Sequence, residues 1–172
     1  IVKCNKAVET KPTKQKHTKA YENSANLAET KTDEQKEQHY NLAFEKYNKA
    51  VEFKPDKHEA YNNWGKDLAN LAKTKTDKQK EQLYNLAFEK FKKAIEIKPG
   101  FHEAYNNWGN DLANLAKTKT DEQKEELFNL AFGKYNKAVE IKPDKHEASS
   151  NWGTDLANVA ETKTDKQKEQ LY

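Results

Sequence analysis

Residues 59–99 have the sequence EAYNNWGKDLANLAKTKTDKQKEQLYNLAFEKFKKAIEIKP, and residues 103–143 repeat it with eight of forty-one positions changed. The period is 44 residues, which is also the spacing between Trp64, Trp108 and Trp152. A fixed period of this size is typical of stacked repeats, in which each unit buries its apolar side against its neighbours. Near-identical units present the same groups at regular intervals, whereas catalysis needs different groups to converge once. The repeat therefore favours binding or assembly over catalysis.

The composition argues against nucleic-acid and membrane partners. The 172 residues include 31 basic and 28 acidic side chains, and every basic residue is a lysine. Arginine supplies much of phosphate and base recognition, and lysine here is interleaved with glutamate, so we expect no nucleic-acid partner. No stretch approaches eighteen consecutive apolar residues, which argues against a membrane span. The single cysteine, Cys4, has no second cysteine for a disulfide or zinc site, and we expect it to be a small buried side chain.

Each unit contains two apolar stripes at the three- and four-residue steps of an α-helix, which we call helix A and helix B. Asp56 and Thr76 are placed to cap the starts of the two helices, and Pro99 closes the second one. In the unit beginning at Asp56, the helix A stripe consists of Ala60, Trp64, Leu68, Leu71 and Ala72, and the helix B stripe of Leu83, Ala87, Phe88, Phe91, Ala94 and Ile95.

A glycine follows each of the three tryptophans. Glycine inside a helix costs about 1 kcal/mol, so its recurrence predicts a close approach of another helix. The residues expected to carry this packing are Trp64, Gly65, Phe91, Trp108, Gly109, Trp152 and Gly153. By contrast, Gly133 stands where Glu45 and Glu89 stand in the other units, and we expect it to be a weak point of its helix B.

The order of small, large and turn residues resembles the tetratricopeptide repeat, a helix-turn-helix unit of about 34 residues. The matching residues are Tyr61, Trp64, Gly65 and Leu68 in helix A and Ala87, Phe91, Ala94 and Pro99 in helix B. Ten further residues around 73–85 indicate a long-helix variant, with the helices or the turn extended. The resemblance implies an all-α fold, a right-handed superhelical solenoid of antiparallel helix pairs.

The same resemblance divides the chain into units. Residues 1–12 are the back half of a helix B, 13–55 a divergent first repeat, 56–99 the second repeat, 100–143 the third, and 144–172 an incomplete fourth. Both ends therefore fall within a helix B. Either the chain is a window from a longer array, or copies join head to tail and form filaments. The residues that such a junction would use are Ile1, Val2, Cys4, Leu171 and Tyr172.

The resemblance also implies a concave groove lined by helix A, in which relatives hold extended peptides. The groove positions here are Asn62, Asn63, Lys66, Asn70, Asn106, Asn107, Asn110, Asn114, Asn151 and Asn158. Asn63, Asn107 and Asn151 match a position that forms an asparagine ladder in some relatives. An asparagine amide can donate to and accept from one peptide unit at once. The alternative is that these asparagines cap, solvate or pack between helices.

The sequence predicts no carboxylate clamp, metal site, cofactor or catalytic centre. Acidic residues occupy a groove position where a clamp requires positive charge, namely Glu59, Glu103 and Glu147. The histidines beside them are one repeat apart, too far to share a metal ion, and we expect them to be solvated: His58, His102 and His146. Phosphate-binding, nucleophile-elbow and zinc-protease motifs do not occur.

Two functional hypotheses remain. In the first, the chain is a structural scaffold, a segment of a long solenoid or a head-to-tail fibre whose partner is another copy. In the second, it is an adaptor that binds an extended peptide in its groove. The near-identity of the repeats favours the first, and the differences between Lys66, Asn110 and Thr154 at one groove position favour the second. The sequence leaves the cellular compartment open.

Overall fold

The computed structural model of the chain describes residues 33–144, 150–155 and 157, and all of its regular elements are helices. Five helices have both ends within this part: α1 (Asp33–Phe53), α2 (His58–Ala72), α3 (Asp77–Ile97), α4 (His102–Ala116) and α5 (Asp121–Ile141). Residues 150–155 are also helical. The prediction of an all-α protein is therefore confirmed for the described residues. None of their helices is both long enough and apolar enough to cross a bilayer.

The helices alternate in length. The helix A elements α2 and α4 have 15 residues each, and the helix B elements α1, α3 and α5 have 21 each. Short connections join them at residues 54–57, 73–76, 98–101 and 117–120. The turn between helix A and helix B of each unit is therefore short, and most of the 44-residue period lies in the helices.

The predicted helix caps are wrong in part. Helix α2 begins at His58 with Lys57 at its N-cap, so Asp56 stands one residue too early to cap it. Thr76 does occupy the N-cap position of α3, but its side chain makes no capping hydrogen bond. Tertiary packing rather than capping fixes these helix starts, as is usual for amphipathic helices.

Consecutive helices pack along their apolar stripes. Helix α2 packs closely on α3, and α4 on α5, while α3 contacts α4 and α2 contacts α4. One cluster joins Leu68 of α2, Phe91 of α3 and Leu115 of α4. Trp108 is half-buried and packs against this cluster and also against the next one, which includes Tyr135. Side chains of one unit thus complete the core of the other.

Ion pairs repeat between units. Lys75, in the connection after α2, pairs with Glu37 of α1, and Lys119, 44 residues later, pairs with Glu81 of α3. Each pair joins the turn of one unit to the preceding helix B. Because these pairs are partly exposed, each contributes at most about 1 kcal/mol, and they mainly fix the relative position of the two elements.

The glycines after the tryptophans meet aromatic rings. A Cβ atom added at Gly65 would lie 2.7 Å from Cε1 of Phe91, and one added at Gly109 would lie 2.6 Å from Cε1 of Tyr135. Both rings are fully buried, so neither can move aside cheaply. At Gly153 a Cβ would meet nothing within 4 Å among the described residues.

Two glycine substitutions should change stability in opposite directions. Gly109→Ala is expected to lower the free energy of unfolding by about 1–3 kcal/mol, because it overpacks the Tyr135 ring. Gly133→Ala is the matched control, since a Cβ at Gly133 of α5 meets nothing within 4 Å of the described atoms. It should raise the stability by about 1 kcal/mol through helix propensity. Urea denaturation measures both changes, and a Gly109→Ala variant as stable as Gly133→Ala would contradict the close approach, because both variants gain the same helix propensity.

Candidate functional site

A groove of about 380 Å3 crosses three successive helix A segments: α2, α4 and the helical residues 150–155. Its lining is mainly polar, with lysine, asparagine and aspartate predominating. We call it the central groove, and its lining residues are Lys66, Asn70, Lys73, Asn107, Asn110, Asp111, Ala113, Asn114, Lys117, Tyr135, Asn151, Thr154 and Asp155. Helix A segments and the residues just after them supply every side chain except Tyr135, which comes from α5.

The structure brings most of the predicted groove residues together. The central groove includes Lys66, Asn70, Asn107, Asn110, Asn114 and Asn151. Asn62, Asn63 and Asn106 do not line it, and Asn62 and Asn106 are buried. Asn158 lies outside the described residues, as do the predicted junction residues Ile1, Val2, Cys4, Leu171 and Tyr172.

Asparagine side chains connect successive helix A segments. Nδ2 of Asn107 donates to Oδ1 of Asn62 at 3.0 Å, and Nδ2 of Asn151 donates to Oδ1 of Asn106 at 3.4 Å. These bonds fit the alternative that the asparagines pack between helices. Each amide has two N–H donors and an acceptor oxygen, so Asn107 and Asn151 retain hydrogen-bonding capacity toward the groove.

Buried aspartates recur at the base of the helix A surface, and two of them pair with tyrosines. The hydroxyl of Tyr47 donates to Oδ2 of Asp67 at 2.8 Å, and the hydroxyl of Tyr135 lies 3.0 Å from Oδ2 of Asp155. Tyr135 also lies 2.9 Å from Oδ1 of Asn110. The Tyr135 hydroxyl has one proton, which it donates to the Asp155 carboxylate. With its side-chain amide rotated, Asn110 can then donate a hydrogen bond to the phenol oxygen of Tyr135.

The middle aspartate has no tyrosine at the equivalent position. The residue 20 positions before Asp111 is Phe91, where the other two units have Tyr47 and Tyr135. Asp111 is 6% exposed and accepts a hydrogen bond from Asn114. Burial raises the pKa of its carboxyl to about 7, against the opposing effect of nearby lysines. The middle unit thus places a carboxyl that titrates near neutrality in the groove.

Burial also raises the pKa of Asp67, to about 6, although the Tyr47 hydrogen bond and the Lys66 charge act in the opposite direction. The pKa values of Tyr84 and Tyr135 are raised as well, first by burial and then by nearby aspartate charges. These hydroxyls therefore stay protonated at all ordinary pH values and act as neutral donors.

Lysines form the rim of the central groove. Lys66 and Lys73 are exposed, and Nζ of Lys73 donates to Oδ1 of Asn70 at 3.2 Å. On the opposite side, Nζ of Lys117 lies 3.2 Å from Oδ1 of Asp155. The lining of the groove thus contains three lysines and two aspartates, so the groove carries a small positive charge when both aspartates are ionised.

The acidic residues expected in the groove are elsewhere. Neither Glu59 nor Glu103 lines it, and each instead pairs with its neighbouring histidine, at 3.2 and 3.1 Å from Nε2 of His58 and His102. The prediction that these histidines are solvated is wrong, since their side chains are only 17% and 14% exposed. The His58 ring packs edge-on against Phe101 of the next unit, with centroids 4.6 Å apart. Glu147 and His146 lie outside the described residues.

Sequence analysis missed several lining residues. Lys73 lies three residues after Asn70 on the same helix face, so helical periodicity was a sufficient signal for it and for Lys117. The sequence indicates Asp111, Asp155 and the Tyr135 hydroxyl less clearly, because their proximity in the groove depends on how helix A packs on helix B. Among the described residues there is no group of histidine, cysteine, aspartate and glutamate side chains able to hold a metal ion.

In the described part of the chain, the helices form an open, polar groove across successive helix A segments, an arrangement that can bind a polypeptide. A family model described as plant-specific mitochondrial import receptor subunit TOM20 matches residues 55–150, more than half of the 172. The chain belongs to this family, which consists of receptors rather than enzymes. No curated protein matches the chain. The family supports a protein partner and an adaptor role, and offers no support for a fibre or for head-to-tail assembly.

Proposed function

We propose that this chain is the polypeptide-binding part of a mitochondrial import receptor, and that the central groove holds an extended segment of the protein to be imported. The observation that supports this proposal most strongly is the lining of the groove, to which three successive helix A segments contribute five asparagines. Asparagine amides offer donors and acceptors together, so they suit a polypeptide backbone whose side chains vary. A receptor that accepts many proteins needs this kind of recognition.

The spacing of the helices fits an extended ligand. Packed helices lie about 8–10 Å apart, and an extended chain advances about 3.3 Å per residue. Each helix A would therefore meet about every third residue of the bound segment. Asn70, Asn114 and the Asn107 and Asn151 amides stand along that path. Of the two functional hypotheses, we therefore retain the adaptor that binds an extended peptide and not the head-to-tail fibre.

We further propose that the units 56–99 and 100–143 stack as antiparallel helix pairs in a right-handed superhelical solenoid, as in tetratricopeptide repeats. Support comes from helix starts that recur after 44 residues, at His58 and His102, and from the contact between α2 and α4. The inter-unit ion pairs recur with the same period. Such stacking places successive helix A segments side by side and so forms the groove.

The groove can be tested with matched asparagine variants. Asn70→Ala combined with Asn114→Ala removes two groove amides, and is expected to weaken binding of a mitochondrial precursor protein by roughly tenfold, as the loss of two hydrogen bonds implies. Asn85→Ala combined with Asn129→Ala is the control, because both side chains are exposed on helix B elements outside the groove. Fluorescence anisotropy with a labelled, unfolded precursor measures the affinities. Equal affinities of the two double variants, or no binding by the wild type, would refute the proposal.

A further inference from the structure

The charged side chains that line the central groove are unevenly distributed along it. Helix α2 and the residue after it contribute two lysines, Lys66 and Lys73, and no acidic lining residue. Helix α4 and the residue after it contribute Asp111 and Lys117, whereas the helical residues 150–155 contribute Asp155 alone. From α2 towards residues 150–155, the charge of the lining therefore changes from positive, through neutral, to negative.

Two repeat positions produce this difference between the ends of the groove. The first is occupied by Lys66, Asn110 and Thr154 in successive units, and all three residues line the groove. The second is occupied by Lys73 and Lys117, and then by a glutamate at position 161, which lies outside the described residues. At both positions the unit that contains α2 is the most positive one.

The positive charge at the α2 end is also the least neutralised. Nζ of Lys117 lies 3.2 Å from Oδ1 of Asp155, so these two charges offset each other. At the α2 end, both lysines are exposed, and no described carboxylate forms an ion pair with Lys66. Nζ of Lys73 donates to the uncharged side chain of Asn70 at 3.2 Å. When Asp111 is ionised, its single charge offsets at most one of the two lysines, so the α2 end keeps an excess positive charge.

We propose that Lys66 and Lys73 determine the direction in which an extended polypeptide lies in the central groove. The end of the bound segment that carries more lysine and arginine lies at residues 150–155, and its less basic end lies against α2. This inference rests on the proposed function, because it states how the same groove orients its ligand.

The asparagines of the groove cannot set this direction by themselves. An asparagine amide both donates and accepts hydrogen bonds, so it can serve a polypeptide backbone that runs either way. Asparagine also recurs at the same positions in successive units, as in Asn70 and Asn114 or Asn107 and Asn151. The amides therefore supply affinity in both directions, and the uneven charges distinguish the two.

The size of the preference follows from Coulomb repulsion. Two cations about 10 Å apart in water repel each other enough to change a binding constant by about twofold. A segment with two lysines at one end, bound in the unfavourable direction, makes two to four such pairs with the one or two uncompensated groove lysines. The expected preference is therefore about four- to sixteenfold at low salt. The Debye length falls from about 30 Å at 0.01 M to about 3 Å at 1 M salt, so the preference should vanish at 1 M.

The experiment uses a peptide of alanine, serine and glutamine, acetylated and amidated at its ends, with two lysines at its N-terminal end. A nitroxide spin label is attached either next to the lysines or at the opposite end. The indole N–H signals of Trp64 in α2 and Trp152 in residues 150–155 are observed by NMR in the whole 172-residue chain. The label next to the lysines is expected to broaden the Trp152 signal more than the Trp64 signal, and the label at the opposite end should do the reverse. At 1 M salt each label should broaden both signals alike.

Variants copied from other units test the two lysines. Lys66→Thr combined with Lys73→Glu gives α2 the residues that the last unit has at both positions, and should abolish the preference. Adding Thr154→Lys makes the other end the more positive one, and should reverse the direction. All three positions are exposed, so these variants are expected to fold.

Lys92→Asn is the matched control. Lys92 is exposed on α3 outside the groove, and the other two units have asparagine at the equivalent positions, 48 and 136. This variant also loses a lysine but should keep the wild-type direction.

The outcomes separate this inference from the proposed function. If the bound peptide broadens both indole signals alike at low salt, or if the triple variant keeps the wild-type direction, the two lysines do not orient the ligand, although the groove still binds polypeptide. If neither the peptide nor an unfolded precursor protein binds to the chain, both the inference and the proposed function are overturned.

Discussion

Trp108→Ala is expected to lower the free energy of unfolding by about 3 kcal/mol, the lower end of the range for removing a large aromatic side chain from a core. Trp108 packs on the clusters of two units and stacks near Phe88, with ring centroids 6.1 Å apart. Nζ of Lys134 lies 3.6 Å from its ring centroid. The indole N–H has no hydrogen-bond partner within the described part of the chain, so the loss is one of packing and of the cation–π contact.

Phe53→Ala is the matched control for this change, because Phe53 is 93% exposed. Its removal should change the stability by less than about 0.5 kcal/mol. Both variants can be compared by urea denaturation followed by circular dichroism. A denaturation midpoint for Trp108→Ala as high as that of Phe53→Ala would contradict the packing of one unit on the other.

The second large expected effect is a dependence of the free energy of unfolding on pH. Burial raises the pKa of Asp111 from 3.8 to about 7 and that of Asp67 to about 6, so the folded chain binds more protons than the unfolded chain between pH 4 and pH 7. The stability that these two carboxyl groups contribute is therefore fully present below the pKa that they have in the unfolded chain. It is lost as the pH rises through the pKa values that they have in the folded chain. For Asp111, the difference of about three pKa units between the folded and the unfolded chain corresponds to at most about 4 kcal/mol in the free energy of unfolding.

Asp111→Asn isolates this contribution. The variant lacks the ionisable group, so its stability relative to the wild type should increase by up to about 4 kcal/mol from pH 4 to pH 8. Phe91→Tyr should reduce the pH dependence without removing the carboxyl, since the Tyr47 hydroxyl lowers the pKa of Asp67 in the equivalent position. A constant difference between the wild type and Asp111→Asn across this range would show that Asp111 ionises normally.

The helices and their core faces could be predicted from the sequence because both follow from local periodicity. Ala60, Leu68, Ala87 and Phe91 are buried as their three- and four-residue spacing indicates. Trp64 is only half-buried, with Lys90 placed 3.9 Å from its ring centroid. Periodicity identifies the inward face of a helix, but it does not determine which side chains the neighbouring unit will cover completely.

Apart from Lys73 and Lys117, which helical periodicity indicates, the features that the sequence does not reveal depend on contacts between distant positions. Asn62 was assigned to the groove, but it is buried between helix A segments and accepts from Asn107. His58 was expected in solvent, but Phe101 of the next unit covers it. The significance of Phe91 appears only once the Tyr47–Asp67 bond is seen, because the two residues are twenty positions apart and on different helices.

The most direct test of the central claim is site-specific photo-cross-linking of the chain to an unfolded mitochondrial precursor protein. A photoreactive phenylalanine analogue would replace Asn70, in the groove, or Asn85, on the outer surface of α3. We predict that the precursor cross-links to position 70 and not to position 85, and that an excess of unlabelled precursor abolishes the product. Cross-linking at position 85 alone, or equally at both positions, would contradict a binding site in the central groove.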